Sequence, residues 1–115
     1  MNWSAIAAVF LAAAVILGAF GAHGLRNSID AASMSIWEKA VFYHFVHALA
    51  LLFLALHGIG SRAPSLLLLA GIVLFSGSLY GLALTNVRWL GAITPIGGLC
   101  FLAGWAWLAI SATRL

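Results

Sequence analysis

From Trp3 to Ala22 the chain runs without a single charged residue, and comparable apolar stretches recur three more times. A bilayer core about 30 Å thick needs around 20 apolar residues of helix to cross it. The stretches fall at about 3–22, 35–56, 65–84 and 89–113, and each meets that length. Backbone polar groups have no water partner in lipid, so a segment of this kind satisfies them internally as a helix. Composition agrees. Hydrophobic residues make up 65% of the 115 and charged residues 6%, against about 25% charged in a soluble domain. The solvent for this surface is lipid.

The links between the stretches are short and hold most of the charges. Residues 23–34 carry Arg26 and Asp30, residues 57–64 form a Gly/Pro link with Arg62, and Thr85-Asn-Val-Arg88 is tight. Short links favour antiparallel neighbours. The expectation is an all-α, transmembrane four-helix up-down-up-down bundle, one integral membrane domain over 1–115. Ser35-Ile-Trp-Glu38 spells a capping box and places the second helix start at Ser35. Ala19-Phe-Gly-Ala22 loosely imitates a signal-peptide cleavage site. The start lacks a basic region and the apolar run is long, so this segment is expected to remain as a membrane helix.

Net charge is +3 from scattered cations, without the basic cluster that nucleic-acid binding requires. Arg62 and Arg114 on one face oppose Arg26, Lys39 and Arg88 on the other, so the positive-inside rule returns a near tie. Trp3, Trp37 and Trp89 stand at helix ends, as interfacial anchors do. Cys100 is single and sits in an apolar run, where a thiol packs as a small hydrophobe.

The polar residues inside the stretches fall at one depth. At about 1.5 Å of rise per residue, and with alternating direction, His23 lies at the face bearing Arg26. Tyr43 and His44 fall roughly 12–14 Å below that face, and His47 about 18 Å. Ser76, Ser78 and Tyr80 join them from the third helix, and Thr94, Pro95, Gly97 and Gly98 from the fourth. The other half, with runs such as ALALLFLAL and FLAGWAWLAI, reads as hydrocarbon. Polar groups in lipid point at the bundle interior, because an unpaired donor in hydrocarbon is expensive. The candidate pocket is therefore His23, Tyr43, His44, His47, Ser76, Ser78, Tyr80 and Thr94.

His44 and His47 admit three roles. They could bond between helices and fix register, face a solute or a proton, or hold metal or haem. Metal sites want three or four ligands, and no carboxylate or thiolate stands near to complete the set. No cofactor is expected, with haem or metal at His44/His47 as the lesser alternative. Thr94-Pro-Ile-Gly-Gly98 is expected to interrupt the fourth helix, since Pro95 cannot donate to the Gly91 carbonyl. Gly77/Gly81 and Ala14/Gly18/Ala22 have the small-residue spacing that lets helices approach, within one bundle or across a homo-oligomer. No buried acid is available for cation coupling, and no nucleophile–base–acid set assembles, so an enzyme is disfavoured.

Together GAFGAHGL (18–25), YHFVHALALL (43–52), LFSGSLYGLAL (74–84) and TPIGGLCFLAGW (94–105) resemble the YgdD-like family of small membrane proteins, a domain of unknown function numbered four-two-three. The resemblance implies four transmembrane helices in a bacterial inner membrane, with both termini in the cytoplasm and the polar slab in the outer leaflet. It implies no activity and no catalytic residues. Two functions remain open: binding or translocation of a small polar solute or lipid headgroup in the half-membrane pocket, or a non-catalytic accessory or assembly role in which the Gly/Ser/His seam packs helices or a partner. A haem or metal-binding membrane protein stands third.

Overall fold

The computed structural model describes residues 2–58 and 62–113. Four spans cover most of them: Trp3–Leu25, Ala31–His57, Arg62–Thr85 and Leu90–Ala112, all long and apolar enough to cross a membrane. The chain is an all-α bundle with no strand among the described residues.

Caps set the helix ends. The Asn2 side chain accepts the Ala5 amide at 3.0 Å and opens the first span. Asp30, not Ser35, opens the second: its carboxylate accepts the Ser33 amide at 2.7 Å. A carboxylate there also meets the positive end of the helix dipole. The backbone N–H and hydroxyl of Ser33 hold Asp30 below the ordinary carboxylate range. The helix therefore begins at Ala31 and absorbs the Ser35–Glu38 pair into its interior. It stops at Gly58, where φ is +60°, a left-handed conformation that suits glycine. Of the 57–64 link, Arg62 already belongs to the third span, and residues 59–61 lie outside the described residues. Asn86, at φ +57°, closes the third span as its amide meets the Leu82 carbonyl.

Two spans contain π-turns, at Gly21–Leu25 and at Ile72–Ser76. Such wider turns shift the facing of the residues around them. The fourth span, by contrast, runs unbroken from Leu90 to Ala112 with Pro95 inside it. The expected interruption is absent: the helix carries Pro95 in its second turn and continues, although the Gly91 carbonyl loses the donor it would ordinarily have there.

The first backbone packs on the second and the third on the fourth, while the second also meets the third. In the first span Ala7, Ala14 and Gly21 are buried at seven-residue spacing, the period of a left-handed helix seam. The second span contributes buried Ala40 and Ala48. Gly21 has no side chain where the Trp37 ring lies, and that indole donates to the Leu17 carbonyl at 3.0 Å. Between the third and fourth spans, Gly71 accommodates the Phe101 ring and Gly104 the Leu68 side chain. At Gly97 a β-carbon would overlap the backbone of Phe75 itself. The second and fourth backbones do not touch. That separation creates the groove described next.

Candidate functional site

A polar seam joins the second, third and fourth spans. Tyr80 and the His44 Nδ1 share a hydrogen bond of 2.8 Å. Ser76, at the end of the π-turn, donates to the Ala40 carbonyl at 2.8 Å. Ser78 donates to the Phe75 carbonyl at 3.0 Å, and its hydroxyl lies 2.6 Å from that of Thr94. Each bond but the Ser78–Phe75 one ties two spans, so these residues satisfy one another rather than facing an opening. Their common depth follows from the pairing.

His47 is fixed from both sides. Its Nδ1 lies 2.7 Å from the Tyr43 carbonyl, and the Trp105 indole N–H donates to its Nε2 at 3.1 Å. A carbonyl can only accept and an indole N–H can only donate, so Nδ1 carries the hydrogen and Nε2 is bare. The imidazole in this arrangement is neutral. Its ring stacks on Phe101 at 3.6 Å between centroids, with 12° between planes. Coordinating a metal or haem through either nitrogen would require breaking one of these bonds.

His44 faces elsewhere. It is 3% exposed, and among the described residues its Nε2 has no partner at hydrogen-bond distance. The Phe10 ring of the first span meets it edge-on at 6.0 Å. The two histidines therefore diverge instead of converging on one point. Among the described residues no group of three or more His, Cys, Asp or Glu is placed to hold a metal ion. His23 is exposed in the last turn of the first span and makes no hydrogen bond to the seam. Gly98 and Pro95 line the groove, whereas Gly97 is buried in the helix crossing.

The groove encloses about 670 Å³ between the second and fourth spans, with Phe75 of the third also lining it. Tyr43 and His47 line one side, and Leu99, Leu102 and Trp105 the other. It opens to the lipid side, leaving Tyr43 37% and Trp105 42% exposed. The Tyr43 hydroxyl makes no hydrogen bond among the described residues. Its ring lies nearly parallel to His47, 8° between planes, and packs on Phe75 at 4.6 Å.

Trp105, Phe75 and Phe101 complete this site and were not among the residues singled out from sequence. One signal was present: Trp105 lies well inside the fourth span, away from the interface where tryptophans anchor. An indole N–H at that depth needs an acceptor.

The comparisons with known proteins point to one family. The family model described as "Protein of unknown function (DUF423)" matches residues 17–98. The UPF0382 membrane protein SH2409 of Staphylococcus haemolyticus is 54% identical over 101 residues, covering 82% of this chain and 80% of its own length. The UPF0382 membrane protein SSP2132 of Staphylococcus saprophyticus is 50% identical over 109 residues, covering 89% and 88%. The UPF0382 membrane protein YwdK of Bacillus subtilis is 48% identical over 107 residues, covering 88% and 87%. No solved structure matches the chain. An integral membrane chain with four apolar spans, matched along most of its length by these relatives, belongs to the DUF423 family of membrane proteins.

Proposed function

We propose that this protein binds a membrane amphiphile laterally, in the groove between its second and fourth spans. The observation that carries this reading is the Tyr43 hydroxyl, unpartnered and exposed beside a fully bonded His47. A hydroxyl donor left unpaired in hydrocarbon costs about 1–3 kcal/mol, which an acceptor oxygen on a ligand would offset. Tyr43 lies one helical turn, about 6 Å, deeper in the span than Lys39, on the side of the bundle that carries Arg26 and Lys39. The remaining lining, including Phe75, Leu99 and Leu102, suits an apolar chain or ring. The ligand class is an otherwise apolar molecule with one ester or carbonyl oxygen. Translocation is not part of this reading, because the interior hydroxyls and His44 Nδ1 already bond within the protein. We place the protein in the bacterial inner membrane with both termini cytoplasmic, which puts Tyr43 in the outer leaflet.

The same internal bonds favour a second reading, in which the seam only fixes helix register in an accessory or assembly protein. One experiment separates them. Tyr43→Phe removes a hydroxyl that bonds nothing among the described residues, and Leu99→Trp fills the groove from an exposed position. If the groove binds, both variants unfold like wild type but lose co-purifying lipid measured by mass spectrometry. Unchanged lipid content in both variants leaves the seam reading alone.

A further inference from the structure

A second, smaller slot of about 190 Å³ lies between the first and second spans, lined by Gly18, Ala22, Arg26, Trp37, Glu38 and neighbours. It is not part of the groove. Its second-span residues Met34, Trp37, Glu38 and Val41 lie about half a turn around the helix from Tyr43, Val46 and His47, at about 100° per residue. The slot exists because Gly18 and Ala22 withhold bulk where the two helices meet; a β-carbon on Gly18 would already approach Val41 to 3.3 Å. Its indole is unavailable, since the Trp37 N–H is bonded to the Leu17 carbonyl.

One cation and one carboxylate stand on the walls of this otherwise apolar space, and they do not pair. Arg26 and Glu38 are both exposed, and neither makes an ion pair or hydrogen bond among the described residues. Both belong to the half of the bundle where the chain turns between its first two spans. From this juxtaposition we infer that the slot binds the headgroup of a phospholipid with a primary ammonium two carbons from its phosphate, an ethanolamine phospholipid. The phosphate oxygens accept from the Arg26 guanidinium, whose planar fork suits them. The ammonium donates to the Glu38 carboxylate. A choline headgroup carries its positive charge on methyl groups that cannot make that bond. A glycerol headgroup has no cation and would meet Glu38 as a like charge.

The test uses the full chain, delipidated in mild detergent and offered phosphatidylethanolamine, phosphatidylcholine or phosphatidylglycerol, with bound lipid counted by native mass spectrometry. The expected result is retention of the ethanolamine lipid about fivefold above the other two. Glu38→Gln should abolish that preference, and Arg26→Gln should lower retention of all three lipids. Lys39→Gln, the neighbouring charge outside the slot, should keep it. Circular dichroism confirms that each variant is folded, and Arg26→Lys serves as the milder replacement if Arg26→Gln is not. Equal retention of the three lipids, stronger retention of the glycerol lipid, or a Glu38→Gln variant with unchanged preference overturns the proposal. Competition by soluble glycerophosphoethanolamine at equal concentration overturns its assignment to a membrane lipid. Tyr43→Phe should not alter this preference, so failure here and failure of the groove reading are separate results.

Discussion

Where the first span meets the second, Gly18 faces a side chain that can move; where the third meets the fourth, Gly97 faces a backbone that cannot. Gly18 lies against the tip of Val41 and Gly21 against the Trp37 ring. Gly97 instead lies against the amide nitrogen and Cα of Phe75, next to the π-turn of the third span. Membrane helices gain little from apolar burial against each other, so close approach and interhelical hydrogen bonds carry association. The first pair is an adjustable seam with a slot in it. The second pair is a rigid crossing that sets where Phe75 and Phe101 stand, and through Phe101 where the His47 ring lies.

The largest expected effect tests that contrast directly. Gly97→Ala should destabilise the protein by about 3 kcal/mol or more, because overpacking against backbone has no side-chain rotation to relieve it. Gly18→Ala, whose β-carbon meets only Val41 Cγ1 at 3.3 Å, should change stability by less than about 1 kcal/mol. Thermal unfolding in detergent measures both. Equal losses would remove the distinction between the two crossings.

A middle-sized effect compares the two buried histidines. Tyr80→Phe takes away the hydrogen bond at His44 Nδ1 and leaves that nitrogen unpartnered among the described residues, in a ring 3% exposed. The cost should be about 2 kcal/mol. Trp105→Phe removes one of two bonds of His47, beside a groove open to lipid and amphiphiles, and should cost about 1 kcal/mol. Denaturant titrations of the two variants give the order, and the reverse order would make His47 the more tightly held ring.

The depth of the polar slab was legible because an α-helix has a fixed rise and lipid forbids unpaired donors. Those two facts place Ser78, Thr94, His44 and Tyr80 near a common depth, and the packing of the spans decides which of them pair. The second helix start was misplaced because two cap signals, Asp30 and Ser35, lie five residues apart, and the carboxylate at the earlier one won. Trp105 was hidden for a deeper reason. Whether a tryptophan faces lipid or an imidazole depends on how the second and fourth spans sit across the third, and no local pattern in FLAGWAW encodes that placement. His23 failed to join the seam because the π-turn and the end of the helix leave it exposed.

The smallest effect belongs to Gly77, and it asks whether the small-residue spacing with Gly81 serves the fold at all. Gly81 meets Leu90 of the fourth span, while a β-carbon on Gly77 would meet nothing within 4 Å. An exposed glycine inside a helix costs about 0.8–1 kcal/mol relative to alanine. Gly77→Ala should therefore stabilise an isolated chain slightly, by up to about 1 kcal/mol. A self-associating chain that docks a second helix on this face should respond oppositely, since a methyl group would hold the backbones apart. Crosslinking in native membranes, run beside the unfolding measurement, distinguishes the two. A stabilised variant with unchanged crosslinking assigns this face to lipid, and a loss of crosslinked dimer assigns it to a second copy. Either outcome sharpens the contrast with Gly97, where the same substitution strikes the backbone of the chain itself.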